Sequence, residues 1–89
     1  MQEITLKIHN KVGLHARPAA LFVHTARNFE SNVIVIHEQR CANAKDVLNL
    51  VGLGIYQNSR IIVRAEGRDA NIALKALRKL VEGNFGEPI

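Results

Sequence analysis

The chain has 89 residues, 47% of them hydrophobic, which is enough for one compact domain with a modest core and too little for two. Its 12 lysines and arginines against 8 aspartates and glutamates give a formal net charge of +4, a surplus that suits an anionic partner. No apolar run approaches the roughly 20 residues that a membrane-spanning helix needs, and the first residues do not form an apolar signal segment, so we expect one cytoplasmic domain over residues 1–89 without membrane insertion.

A strand and a helix, separated by a turn, open the chain. Apolar and polar residues alternate over residues 4–9, which predicts a strand with one buried face that ends before a turn at residues 10–13. Apolar residues then recur at helical spacing, and Pro18 suits a first helical turn, where its missing N–H costs little. The sequence therefore predicts a helix that begins just after His15 and buries Ala19, Phe22, Val23 and Ala26.

A hairpin and a short helix follow. Residues 33–43 open with a β-branched run, pass through a polar turn at residues 38–39 and return, which predicts two antiparallel strands. Asp46 then precedes the mostly apolar residues 47–53, and its carboxylate can accept the free backbone N–H groups at the start of a short helix. We expect Gly54 to close that helix.

The chain ends with a strand over residues 60–66 and a helix, for which Asp69 is the candidate N-cap and Gly83 the candidate C-cap. The order β-α-β-β-α-β-α predicts an α+β fold, an open-faced β-sandwich with a four-stranded antiparallel sheet and three helices on one face. The apolar stripe of the last helix is predicted to consist of Ile72, Ala73, Ala76, Leu77, Leu80 and Val81.

Strand alternation also makes a prediction about the open face of the sheet. If Val33, Val35, Ile61 and Val63 face the core, then Ile34, Ile36 and Ile62 face outward. We favour extra sheet packing with modest exposure, and the alternative is a surface for self-association or for a partner. Sedimentation that shows only monomer at high concentration would argue against self-association.

Residues 13–20, with the sequence GLHARPAA, carry the candidate chemistry. They place His15 at the start of a helix, and its imidazole is substantially neutral and nucleophilic near pH 7, so it can attack phosphorus without a separate base. We expect the helix start formed by Ala16, Arg17 and Pro18 to contact the phosphoryl oxygens, with Arg17 supplying fixed charge and directed donors.

At these residues, and over essentially its whole length, the sequence resembles the histidine-containing phosphocarrier (HPr) family of the bacterial sugar phosphotransferase system. The resemblance includes residues 43–45 before the short helix, residues 53–54 after it and residues 66–67, which close the last strand. It implies a relay in which phospho-Enzyme I donates to Nδ1 of His15, and the phosphoryl group passes to an EIIA-type acceptor in phosphoenolpyruvate-dependent sugar uptake. It also implies a monomeric carrier that is not an enzyme and needs no cofactor.

The family's docking surface joins the first helix to the short second one. The resemblance therefore implies a partner surface made of Ala20, His24, Arg27, Val47, Leu48 and Val51, an apolar patch rimmed by charge.

Two departures from the family pattern stand out. Asp46 occupies the position of a regulatory serine that a kinase phosphorylates in many members. The simpler interpretation of Asp46 is a helix N-cap, and the sharper one is a carboxylate that partly imitates phosphoserine and weakens the approach of acidic partners.

The final helix is the second departure, because Lys75, Arg78 and Lys79, with Arg68 before it, make it basic where the family is usually richer in acids.

Other functions are less favoured by the sequence. A basic nucleic-acid-binding module is disfavoured because three phenylalanines, one tyrosine and no tryptophan offer few stacking platforms, and a gel-shift assay at two salt concentrations would test it. A regulatory homologue in a nitrogen-related or transcriptional branch, binding transcriptional regulators, stays open. No metal site is expected, since His9, His24 and His37 lack ligand spacing and are interpreted as surface residues, and the single Cys41 is interpreted as a buried or half-buried small hydrophobe.

Overall fold

A computed structural model of the chain describes residues 2–86. The order of elements confirms the predicted β-α-β-β-α-β-α, and no helix within residues 2–86 has the length and apolar character needed to cross a membrane. The elements are β1 (Gln2–Lys7), α1 (Ala16–Arg27), β2 (Asn32–His37), β3 (Arg40–Asn43), α2 (Val47–Val51), β4 (Arg60–Glu66) and α3 (Ala70–Glu82), followed by a 3-10 turn (Asn84–Gly86).

The four strands form one antiparallel sheet in the order β1-β4-β2-β3. Ile36 of β2 lies opposite Ile62 of β4 on one side and opposite Cys41 of β3 on the other. Because successive side chains of a strand point to opposite faces, every second residue enters the core that the sheet shares with the helices. The fold is thus the predicted open-faced β-sandwich, and its inward positions include the buried Val33, Val35, Ile61 and Val63.

The helices cover the inner face of the sheet with apolar stripes. In α3 the prediction was wrong at Ile72, whose side chain is 62% exposed, and it missed Leu74, which is buried. These two residues lie about 200° apart around the helix axis, so only one of them can face the sheet. Leu74 does so because it shares a side with the buried Ala70, Leu77 and Val81. In α1 the predicted inward residues are all buried, namely Ala19, Phe22, Val23 and Ala26.

Helix α2 ends at Val51, and the expectation that Gly54 closes it is wrong. Gly52 is the C-cap, and its N–H donates to the Leu48 carbonyl at 3.0 Å. Gly54 has φ of 67° and belongs to the connection that leads to β4, where a left-handed residue lets the chain change direction. A run of apolar residues continues past the helix, which is why its end was placed too late from the sequence.

The open face of the sheet carries the three isoleucines predicted there. Ile34, Ile36 and Ile62 are half-buried, which confirms their outward direction. Cys41 is exposed, so its predicted burial is wrong. It lies in the edge strand β3 beside Ile36, on the face that no helix covers, and the alternation that directs Ile36 outward directs Cys41 outward as well. Extra sheet packing with modest exposure remains the favoured interpretation of this face, and self-association or partner binding remains the untested alternative.

His37 is buried, so its interpretation as a surface residue is wrong. It ends β2 two residues after Val35 and therefore shares the inward direction of that side chain. Its ring meets the ring of Tyr56 edge to face, with centroids 5.9 Å apart and planes inclined by 82°. This contact covers one end of the core and gives the imidazole an aromatic neighbour.

Asp69 occupies the N-cap position of α3, but its side chain does not cap that helix, contrary to the prediction. The carboxylate instead accepts hydrogen bonds from the backbone N–H of Glu30 at 2.9 Å and from the N–H and hydroxyl of Ser31 at 2.9 and 2.5 Å. These bonds, led by the Ser31 hydroxyl and then the Glu30 N–H, hold the pKa of Asp69 below its ordinary value of 3.8. The segment that follows α1 is thus tied to the start of α3.

We expect Asp69→Asn to flatten the acid limb of the stability profile. A carboxyl whose pKa is lower in the folded chain contributes stability that is fully present above its unfolded pKa and is lost as the pH falls through its folded pKa. The window therefore opens near 3.8 and extends to more acid pH. Urea unfolding at several pH values should show wild type losing stability faster than Asp69→Asn there, with Ser31→Ala intermediate, and parallel profiles would contradict the assignment.

Candidate functional site

His15 is the N-cap residue of α1, with an extended backbone (φ −131°, ψ 151°) and an exposed side chain. The residue before it, Leu14, is 1% exposed and anchors the chain in the core. The Leu14 N–H donates to the Ile55 carbonyl at 3.1 Å, which joins this segment to the connection before β4. The imidazole therefore projects into solvent from a backbone that is fixed on its N-terminal side.

The loop over residues 10–13 is held by a residue that the sequence analysis did not single out. Asn10 is buried, its side-chain amide donates to the Gly13 carbonyl at 2.7 Å, and its own carbonyl accepts from the Gly13 N–H at 3.1 Å. Gly13 has φ of 66°, and a Cβ added there would lie 2.3 Å from the Ile55 carbonyl oxygen and 2.6 Å from the Tyr56 Cα. Glycine is thus required by both conformation and space.

Both ends of this loop are bound to residues 55–59. Besides the bond from Leu14, the Ile8 N–H donates to the Ser59 carbonyl at 2.9 Å, and the Asn58 N–H donates to the Ile8 carbonyl at 2.6 Å. The loop that precedes His15 is therefore clamped at two points to one neighbouring segment. No pattern in the sequence marks residues 55–59 as the partner of this loop.

The start of α1 combines an unusual backbone with a free cation. Ala16 has φ of 48°, a left-handed conformation that costs a non-glycine residue roughly 1–2 kcal/mol. The Arg17 side chain is exposed and has no hydrogen-bond or ion-pair partner within the described part of the chain. Pro18 is buried and has no N–H, so it fixes the first turn rather than presenting a donor. A guanidinium without a partner among residues 2–86 is available to an anion beside His15.

The predicted partner surface, which we call the docking face, consists of Ala20, His24, Arg27, Val47, Leu48 and Val51. Helices α1 and α2 pack against each other and bring its members together. Ala20, His24 and Arg27 are exposed and Val47 and Val51 are half-buried, while Leu48 is 85% exposed. A leucine this exposed has no role in the core, and it gives the face an exposed apolar side chain.

Arg27 also has a structural contact. Its Nε donates to the Lys45 carbonyl at 2.9 Å, and the Lys45 ammonium donates to the Phe29 carbonyl at 2.6 Å. These reciprocal bonds join the end of α1 to the loop that precedes α2. Arg27 therefore helps to set the geometry of the docking face in addition to standing on it.

Asp46 caps α2 as predicted. Its carboxylate accepts from the Asn49 N–H at 3.0 Å, and the Asn49 side chain in turn accepts from the Asn43 N–H at 2.6 Å. The capping interpretation is confirmed by these contacts. Asp46 is exposed beside Val47, so its charge borders the docking face.

Two exposed apolar side chains were missed by the sequence analysis. Val12 is 57% exposed in the loop before His15, and Tyr56 is 58% exposed in the segment that clamps this loop. Both stand in turn-like segments, where sequence periodicity gives no prediction of burial. His9 and His24 are exposed as predicted, and residues 2–86 contain no group of three or more His, Cys, Asp or Glu side chains that could hold a metal ion.

Comparison with known proteins agrees with the fold and the motif. A protein-family model described as the PTS HPr component phosphorylation site matches residues 2–83. The phosphocarrier protein HPr of Xylella fastidiosa is 39% identical over 87 residues, which cover 98% of each protein. The multiphosphoryl transfer protein of Vibrio cholerae is 40% identical over 86 residues, and the match covers 93% of this chain but only 22% of that protein. The chain thus spans about a fifth of that longer relative.

Two solved structures show the same architecture. A crystal structure of HPr from Thermoanaerobacter tengcongensis is 46% identical and superposes over all of both chains with a TM-score of 0.97. The Bacillus subtilis catabolite repression protein Crh, described as a dimer with a swapping domain, is 33% identical and covers 94% of this chain and 97% of its own with a TM-score of 0.75. The closer agreement is with an HPr.

Proposed function

Because the chain belongs to the HPr family of phosphocarrier proteins of the bacterial phosphotransferase system, we propose that His15 accepts a phosphoryl group from phospho-Enzyme I and passes it to an EIIA-type protein. The observation that carries this proposal is the exposed imidazole at the start of α1 beside a guanidinium that no described residue binds. A carrier of this kind is a substrate of its partners and not an enzyme, and we expect it to act in the cytoplasm as a monomer.

The chemistry follows from the groups at the site. The Nδ1 lone pair of His15 attacks phosphorus, and a new P–N bond forms as the P–N bond to the donor's histidine breaks. The phosphoryl group brings negative charge to the ring, and we expect Arg17 to bind its oxygens with directed, charge-assisted hydrogen bonds. The positive end of α1, at Ala16 and Arg17, favours the same anion. No other catalytic group is required from this chain.

The docking face supports transient recognition of both partners. It combines the exposed apolar side chain of Leu48 with the exposed basic Arg27 and the exposed polar His24. Weak, reversible complexes commonly use a small apolar centre with a charged rim. Since the Enzyme I and EIIA complexes must both release the carrier, one modest surface close to His15 fits both steps.

The direct test is incubation of the chain with Enzyme I and labelled phosphoenolpyruvate. We expect one phosphoryl group per chain, stable to alkali and lost in acid as a phosphoramidate should be, and transferable to an EIIA-type acceptor. Heteronuclear NMR should place the change on the His15 ring. An acid-stable label or no label would contradict the proposal.

Asp46 offers a separate prediction, in which charge and capping can be distinguished. Asp46→Ala should destabilise the fold by about 0.5–2 kcal/mol, because the Asn49 N–H loses its acceptor. Asp46→Asn and Asp46→Ser keep a capping oxygen and remove the charge, so their stability should stay close to wild type. If the carboxylate imitates a phosphoserine, both variants should accept phosphate faster from Enzyme I, and unchanged rates would leave Asp46 with the capping role alone.

A regulatory homologue is the second candidate, and the likeness to Crh favours considering it. Such a protein would act mainly through phosphorylation-dependent binding of regulators, with little transfer to sugar permeases. Transfer of label from the phosphorylated chain to EIIA-type proteins distinguishes the two functions. Sedimentation of the phosphorylated and the unphosphorylated chain would show whether either form dimerises.

A further inference from the structure

A groove between β1 and α3 lies in a part of the molecule that the phosphocarrier function does not use. It has a volume of about 190 Å³ and is lined by residues 2–4 of β1 and by Asn71, Leu74, Lys75 and Arg78 of α3. None of these residues belongs to the docking face or to the loop before His15. The groove is therefore a separate concave surface.

The α3 wall of the groove is polar and positively charged. Asn71, Lys75 and Arg78 are exposed and follow one another at the i, i+4, i+7 spacing that places side chains along one stripe of a helix. The one acidic lining residue, Glu3, is bound to the Arg64 guanidinium by contacts of 2.9 and 3.0 Å. Glu3 pairs with Arg64 in the sheet register. Because the next residue, Ile4, faces inward, Glu3 faces outward, and its carboxylate is held on the open face of the sheet. The lysine and arginine are left without a described acidic partner.

The other wall is a strand edge that no other described strand pairs with. β1 is one of the two edge strands of the sheet, and within residues 2–86 its backbone makes no hydrogen bonds beyond the ladder with β4. In an antiparallel pair, alternate residues of an edge strand direct their N–H and C=O groups away from the partner. Ile4 and Leu74 add apolar contacts along the groove, the first half-buried and the second buried. The groove thus combines unpaired backbone groups, apolar contacts and cations.

We propose that this groove binds an extended, acidic peptide segment of a partner protein, which adds a strand to the β1 edge and places carboxylates against Lys75 and Arg78. Backbone hydrogen bonds to a sheet edge supply affinity in this mode, and alternate side chains supply specificity. A second copy of this chain fits less well, because its net charge of +4 opposes a basic groove. A small anion would use the cations but leave the strand edge unpaired.

The test is an NMR titration of the ¹⁵N-labelled chain with a capped heptapeptide in which glutamate and valine alternate. We expect saturable shifts confined to the amides of β1 and α3. Lys75→Glu combined with Arg78→Glu should weaken binding about tenfold or more, since attraction becomes repulsion. The matched control is Arg68→Glu combined with Lys79→Glu, which changes the net charge equally at exposed residues outside the groove and should stay within about twofold of wild type.

Several results would overturn the proposal. The first is the absence of shifts at 1 mM peptide, roughly the weak limit of specific recognition. The second is equal binding of a peptide that has lysine in place of glutamate, and the third is chemical shifts on the docking face. The fourth is equal weakening of binding by the control pair Arg68→Glu/Lys79→Glu. If succinate bound as tightly as the peptide, the groove would be a site for small dianions and the peptide proposal would be wrong. Phosphorylation of His15 by Enzyme I should be unchanged in Lys75→Glu/Arg78→Glu, which separates this groove from the carrier function.

Discussion

Replacing His15 with alanine is expected to abolish phosphorylation by Enzyme I, with label falling to background. The imidazole is the proposed nucleophile for the P–N bond, and the neighbouring Arg17 guanidinium is a delocalised cation that does not replace it. Removing the imidazole therefore leaves Arg17 with no phosphoryl group to stabilise. Because the His15 side chain is exposed, the fold should change in stability by no more than about 0.5 kcal/mol. The loss is then chemical and not structural, which urea unfolding and an unperturbed NMR spectrum would verify.

His24 supplies the matched control, since it is a second exposed histidine on the same helix. His24→Ala should still take up one acid-labile phosphoryl group, with at most a several-fold fall in the initial rate because it lies on the docking face. If His15→Ala retained the label and His24→Ala lost it, the phosphorylation site would be misassigned.

Gly13→Ala is expected to destabilise the fold by about 2–5 kcal/mol, combining roughly 1–2 kcal/mol for a left-handed residue with a Cβ and about 1–3 kcal/mol for forced backbone movement. The added Cβ would lie 2.3 Å from the Ile55 carbonyl oxygen, so the loop or residues 55–59 must shift. Either shift displaces Leu14 and with it the start of α1. We therefore expect slower phosphorylation of His15 even under conditions where the variant stays folded.

Gly54→Ala separates the two components of that prediction. Gly54 has φ of 67°, nearly that of Gly13, but a Cβ there would meet nothing within 4 Å. Gly54→Ala should cost only the conformational component, about 1–2 kcal/mol, and leave the phosphorylation rate unchanged. Urea unfolding of both variants measures the difference, and equal destabilisation would show that close contact with Ile55 and Tyr56 does not matter.

The sequence predicts most of the fold because apolar residues alternate along its strands with the two-residue period that directs them into the core. The bounds of β4 follow from its β-branched residues, and those of β3 follow from its position as the return after the polar turn at residues 38–39. The burial of Val33 and Val35 follows from alternation. The error in α3 occurs because one spacing of apolar residues is compatible with two different buried faces of the helix. Ile72 and Leu74 both fit a helical stripe, and only packing against the sheet decides between them.

The structure around the candidate site was predictable where it is local and not where it depends on contacts across the fold. The positions of His15 and Arg17 at the start of α1 and the capping contact of Asp46 follow from residue types at a helix start. Asn10 and residues 55–59 were missed because a buried amide in a turn and a clamp from a distant segment leave no periodic signal. The Asp69 carboxylate shows the same limit, since its partners lie almost forty residues away in sequence.

The two-point clamp on the loop before His15 has a dynamic consequence. Because Ile8 and Leu14 are both hydrogen-bonded to residues 55–59, neither end of the loop can detach without disturbing the same segment. The amide protons of Ile8, Leu14 and Asn58 should therefore exchange with solvent deuterium at matched rates, as one cooperative opening unit. Partner proteins would then meet a His15 whose preceding loop moves together with residues 55–59. Motions of this loop would be rare and collective, and they would involve a segment about forty residues away in sequence.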